Sequence, residues 1–213
     1  MFLRVLLLLL ISLPSLPALA QSGTQGPVPA QAAVNINRRQ LEATRLSTEA
    51  VKLDGNLDEP AWREAQIATG FIQNSPNPGP RETHPTEVRI LYDAALYVGA
   101  IMHDVSLDSI PRELTQRDNF GNSDFFGILL DTYHDKLNGY GFFVTPAGVQ
   151  LDARYSPAGG EDWAWNAVWE SRTALQGTDW VAEMRIPYSA IRFSSQAEQV
   201  WGLQLMRNRR STR

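Results

Sequence analysis

The chain has 213 residues, 43% of them hydrophobic, with 19 basic against 23 acidic side chains, a net charge of −4, and no Cys. That length suffices for one large domain with a buried core, alone or with a tail. The acidic balance offers nothing to neutralise a phosphate backbone, and the missing Cys excludes disulfides, thiolate metal sites, a Cys nucleophile and the lipid-bearing Cys of a bacterial lipoprotein.

Residues 1–20 carry Arg4, the apolar run Val5 to Ile11, a stretch broken by Pro14 and Pro17, and the ending Ala18-Leu19-Ala20 before Gln21. This is the pattern of a cleavable secretory signal; the run is well short of the roughly 20 residues of a membrane span. Residues 21–46, rich at first in Gln, Gly, Pro and Ala, read as a flexible leader. A folded domain is expected over 47–213.

Within that domain the apolar period is 2 almost throughout. Strands are predicted at Glu87 to Tyr92, with Val88, Ile90 and Tyr92 on one face, and at Ala95 to His103. Phe125 to Leu130 is nearly all apolar, as for a strand buried on both faces. Tyr140 to Val144 and Val149 to Tyr155 flank the turn residues Thr145-Pro146-Ala147-Gly148; Ala167 to Leu175 and Trp180 to Ile186 flank Gln176-Gly177-Thr178-Asp179. Trp201 to Arg207 alternates again. Two short helical turns are expected: Glu59 to Gln66, capped by Asp58 with Pro60 in its first turn, and Tyr188 to Ile191. The sum is an all-β, antiparallel β-sandwich, jelly-roll-like, with a closed barrel as the alternative.

Six Trp stand out. Trp169, Trp180 and Trp201 fall in strand patterns and read as core, and Trp62 as a plug at one end of the sandwich. Trp163 and Trp165 lie in a Gly-rich loop, where a flat apolar ring suits either a sugar's C–H face or packing against the core. Carboxylates gather around the third strand: Asp118, Asp124 and Asp131, with Asp104, Asp108 and Asp135 nearby. Oxygen-rich turns can hold Ca²⁺; the same residues also serve as turn Asp that bond their own backbone. Arg117 can pair with sugar hydroxyls, or brace a loop through a carboxylate. The three His lack ligand spacing, and no Gly-x-Ser-x-Gly or phosphate loop is present. Two carboxylates could form a glycosidase pair, but nothing in the sequence favours enzymatic chemistry.

Several segments together resemble the family 9 carbohydrate-binding modules. Val51-Lys52-Leu53-Asp54-Gly55-Asn56-Leu57-Asp58-Glu59-Pro60-Ala61-Trp62 resembles their opening. Thr86 to Asp93 with Ala95 to Val98 resembles the next strand pair, and Ser123 to Asp131 the acidic strand. Trp180 to Pro187 and Trp201 to Gln204 resemble the closing strands. Arg117-Asp118, Gly148-Val149-Gln150-Leu151-Asp152 and Trp165-Asn166-Ala167-Val168-Trp169 are similar to a subgroup that precedes a large β-rich region in longer exported bacterial proteins. The resemblance covers about residues 48 to 207. It implies a non-catalytic module binding xylan- or cellulose-type polysaccharide, with structural Ca²⁺, in an exported protein of the periplasm or outer membrane that serves polysaccharide catabolism. Family modules clamp sugar between two Trp; here Phe120 or a near neighbour, not Trp, takes the first position, and the second would fall beyond Arg213, so the domain is expected to be truncated at its C-terminus. The expected carbohydrate-binding residues are Trp163, Trp165, Phe120 and Arg117, and the expected metal ligands Asp54, Asp118, Asp124 and Asp131. The alternatives are a structural domain packing on a C-terminal outer-membrane β region and, third, a glycoside hydrolase.

Overall fold

Period-2 alternation builds two five-stranded sheets. The computed structural model describes residues 39–47 and 50–210; the expected signal segment and residues 21–38 of the leader lie outside them. The strands are β1 (Thr44–Arg45), β2 (Thr86–Tyr92), β3 (Ala95–Met102), β4 (Phe125–Asp131), β5 (Gly139–Val144), β6 (Gln150–Ser156), β7 (Gly160–Asp162), β8 (Glu170–Gln176), β9 (Asp179–Pro187) and β10 (Gly202–Asn208). The first sheet runs β1-β2-β3-β9-β8 and the second β10-β4-β5-β6-β7. Every pairing is antiparallel except the short β1–β2 contact. Alternate residues of the two sheets form one core: Val88, Ile90, Val98 and Met102 with Trp180, Met184 and Ile186 from the first, Phe126, Ile128, Leu130, Phe142 and Val144 from the second. The fold is thus the expected β-sandwich, and among the described residues no helix is long and apolar enough to cross a membrane.

Two strands lie where none is expected. β1 falls in the stretch read as leader, and Leu41 and Ala43 beside it pack against the core, so the compact unit begins at Gln40. β7 adds a three-residue edge. Ala167 to Trp169, read as the start of a strand, belong instead to the loop before β8.

Trp62 does not plug an end of the sandwich. It sits on α1 (Pro60–Glu64) and covers the outer face of the first sheet, packing with Leu91, Ala95 and Tyr97. Asp58 is not the helix cap either: Glu59 holds that position without a side-chain bond, and Pro60 opens the helix. Burial of Trp62 (1% exposed) rather than capping holds this turn in place. The same segment shuts Glu183 of β9 away from solvent. Its carboxylate accepts the backbone N–H groups of Asp54 (2.9 Å) and Gly55 (2.7 Å), while burial pushes its pKa up to about 7. Gly55 has φ +89, and a Cβ there would meet the Ala174 Cβ at 2.7 Å, so the Asp54-Gly55 turn requires glycine.

The basic stretch that ends β10 and follows it, Arg207 to Arg210, is part of the fold. Arg207 donates to the carboxylate of Asp104 (3.2 Å) and to the His103 carbonyl (2.9 Å), and Arg209 pairs with Asp104 at 3.1 Å. The Asp104 side chain is fully buried and Arg207 nearly so. These contacts tie the edge strand of the second sheet to the end of β3 in the first.

Candidate functional site

The outer face of a two-sheet sandwich is ordinarily polar, and the second sheet departs from that rule. Phe125 and Leu129 of β4, Phe143 of β5, Leu151 of β6 and Met206 of β10 point outward together, joined by Phe120 and Trp163 from loops. The ring centroids of Phe120 and Phe125 are 4.3 Å apart; Trp163 meets Phe143 at 5.6 Å and Phe120 edge-on at 5.8 Å. The Phe143 ring lies across two glycines. A Cβ on Gly127 would meet it at 2.2 Å and one on Gly141 at 2.8 Å, so those glycines let the ring settle onto the sheet. Phe143 is buried beneath, while Phe120, Phe125, Leu129, Trp163 and Met206 remain half-exposed. The Trp163 indole N–H donates to Glu161 (3.1 Å), leaving the ring's apolar surface as its free feature.

A polar knot fixes the loop that carries Trp163 and Trp165. Gln150, Asp152 and Arg154 of β6 share the face that pairs with Val144, Phe142 and Tyr140. The Asp152 side chain is fully buried and accepts three donors: the Trp169 indole N–H (2.9 Å), the Ala167 backbone N–H (2.8 Å) and the Arg117 guanidinium. Arg117 also donates to Gln150 (2.8 Å), Asn166 (3.3 Å) and the Ala167 carbonyl (3.2 Å). Gln150 in turn reaches the Trp169 carbonyl and Ser171. Asp118 turns the chain at φ +64, donates its N–H to the Gln150 carbonyl, and accepts the Asp152 N–H. Arg117 thus makes the loop-bracing contacts, with Asp152 as its close partner and Asp118 more distant at 3.7 Å. Gln150 and Asp152 belong to a segment that carries the family resemblance, but neither is among the expected site residues. Their signal was polar residues at alternate positions of a strand paired with a buried one.

The knot separates the two loop tryptophans. Trp163 joins the outer aromatic face with Phe120, whereas Trp165 packs against Tyr140 (5.3 Å) and edge-on to Phe142 (6.1 Å). There it lines a cleft of about 650 Å³ between β5–β6 and the turn after β9.

The four expected metal ligands do not converge. Asp54 accepts from Asn56 and pairs with Lys52 at 2.9 Å. Asp131 accepts the N–H groups of Asp135 and Lys136. Asp124 is buried and accepts the Arg210 N–H at 2.6 Å, with burial pushing its pKa up to about 6. Asp118 belongs to the knot. Among the described residues, no three of His, Cys, Asp and Glu are grouped to hold a metal ion, so these four do not fit a single Ca²⁺ site needing six to eight oxygens. His103 bonds Asp179 (2.8 Å) and His84 faces Arg209 (2.8 Å).

Residues 53–213 match the family model described as carbohydrate family 9 binding domain-like. No curated protein matches the sequence. Among solved structures, the chain is similar to a family 9 carbohydrate binding module from Caldicellulosiruptor kristjanssonii in complex with glucose. Identity is 16% over 77% of this chain and 76% of that one, with a TM-score of 0.49. A module of the same description and organism, in complex with cellotriose, matches at 16% identity over 78% of this chain and 84% of that one, with the same TM-score.

Proposed function

The chain belongs to the carbohydrate family 9 binding domain-like family, and from that premise we propose that it binds a plant-type polysaccharide, xylan or cellulose, on the outer aromatic face of its second sheet. The family is defined by binding and not by catalysis. The observation that carries the location is the half-exposed surface of Phe120, Phe125 and Trp163 laid over the buried Phe143. Rigid aromatic rings offer large contact area at low entropic cost, which suits the C–H faces of pyranose rings in a chain. Arg117 acts by holding the Trp163 loop, since four acceptors already face its guanidinium. The secretory pattern of residues 1–20 supports an exported module acting in polysaccharide catabolism outside the cytoplasm.

Retention on insoluble xylan and cellulose tests the site. Trp163→Ala and Phe120→Ala are expected to lower the fraction bound at least tenfold while leaving the circular dichroism spectrum intact. Unchanged retention by folded Trp163→Ala protein overturns the assignment.

A further inference from the structure

The cleft on the other side of the loop has a different chemistry from the outer face. Its volume of about 650 Å³ lies within the range of small-ligand pockets. Trp165 and Tyr140, half-buried and tilted 45° to each other, form an aromatic wall. Arg154 and Arg192 bring two guanidinium groups, and no acidic residue lines the space. Arg154 is already paired with the carboxylate of Asp162 at 3.0 Å, so the positive character of the cleft rests on the other, Arg192. Arg192 makes no side-chain hydrogen bond or ion pair among the described residues, and neither the Trp165 indole N–H, the Tyr140 hydroxyl nor the Ser189 hydroxyl has a partner there.

Resting on the reading that the chain binds polysaccharide, we infer that this cleft is a second sugar subsite selective for an acidic unit, a uronic acid, whose ring packs on Trp165 and whose carboxylate pairs with Arg192. A planar carboxylate accepts two parallel N–H bonds from a guanidinium fork, a charge-assisted and geometrically specific pairing. The free Trp165, Tyr140 and Ser189 donors serve the ring hydroxyls. A neutral sugar would leave Arg192 unused, and a bare inorganic anion would leave the aromatic wall unused.

Calorimetric titration of the full chain with glucuronosyl-xylose, against neutral xylobiose and xylotriose, tests this. Glucuronosyl-xylose is expected to bind at least tenfold more tightly than xylobiose and to weaken as salt rises. Arg192→Gln, at an exposed position, should remove that advantage, and Trp165→Ala should weaken glucuronosyl-xylose in the same way. Trp163→Ala should leave glucuronosyl-xylose unaffected while abolishing binding of the neutral oligosaccharides. Equal affinity for the acidic and neutral disaccharides overturns the inference, as does Arg192→Gln binding glucuronosyl-xylose within twofold of the wild type. Competition by inorganic phosphate as strong as that by free glucuronate would make the cleft a general anion site and also overturn it. Loss of neutral binding alone bears on the outer face and not on the cleft.

Discussion

Replacing Asp152 by Ala should cost more than any other single polar substitution in the second sheet. The carboxylate is fully buried and takes three donors from two segments far apart in sequence, Arg117 and the Ala167–Trp169 loop. Its removal leaves the Trp169 indole N–H and the Ala167 backbone N–H without partners, each a loss of about 1–3 kcal/mol. Arg117 is 36% exposed and can turn to water, so its part is under about 1 kcal/mol. The total is about 2–7 kcal/mol, which brackets the roughly 3–5 kcal/mol for breaking one side of a buried ion pair and is a large share of a typical total stability of about 5–15 kcal/mol. Urea unfolding followed by circular dichroism would show the midpoint falling while the slope stays constant. Asp152→Asn keeps an acceptor oxygen but sets an amide N–H against neighbouring donors, and should cost about 2 kcal/mol. Because the knot positions the loop, the Asn variant should also bind xylan more weakly despite being folded. A cost below about 1 kcal/mol for Asp152→Ala would refute the claim that this carboxylate anchors the Trp163–Trp169 loop.

Other predictions follow from the same contacts. Glu183, at about 7, and Asp124, at about 6, hold protons in the folded chain at pH values where the unfolded chain has released them. Stability should therefore fall as pH rises from about 4.5 to 7, with Glu183 accounting for about 3 kcal/mol. Melting temperatures of Glu183→Gln across that window should be distinctly flatter than those of the wild type; an unchanged slope would remove Glu183 as the cause. Asp104, held below the usual carboxylate range by Ser109, the Val105 N–H and Arg209 despite its burial, acts in the opposite sense and only at more acid pH. Gly127→Ala should displace the Phe143 ring, costing about 1–3 kcal/mol, and should weaken xylan retention because the outer surface rests on that ring; retention equal to wild type would show that the ring's seat is immaterial.

The sandwich was legible because each strand shows the core only one face, and Val88, Ile90, Phe126, Ile128 and Phe142 fall on the inward parity. Phe125 to Leu130 read as a strand buried on both sides. In the structure its second apolar face is half-exposed, so the run that suggested a doubly buried strand in fact marked the aromatic surface. Trp163 and Phe120 were legible as loop aromatics without their common location, since 43 residues separate them. The knot was hidden for a similar reason: Arg117 meets Asp152 and Asn166 across 35 and 49 residues, and no local period encodes a tertiary hydrogen bond. Trp62 was misplaced because a short amphipathic turn specifies an apolar surface to cover without saying which.

The most direct measurement is a tryptophan-fluorescence titration of the full chain and of Trp163→Ala with xylo- and cello-oligosaccharides. A saturable change in the wild type that disappears in the variant is the predicted result. A saturable change of the same size in folded Trp163→Ala protein, or none in the wild type, would contradict sugar binding at the outer aromatic face.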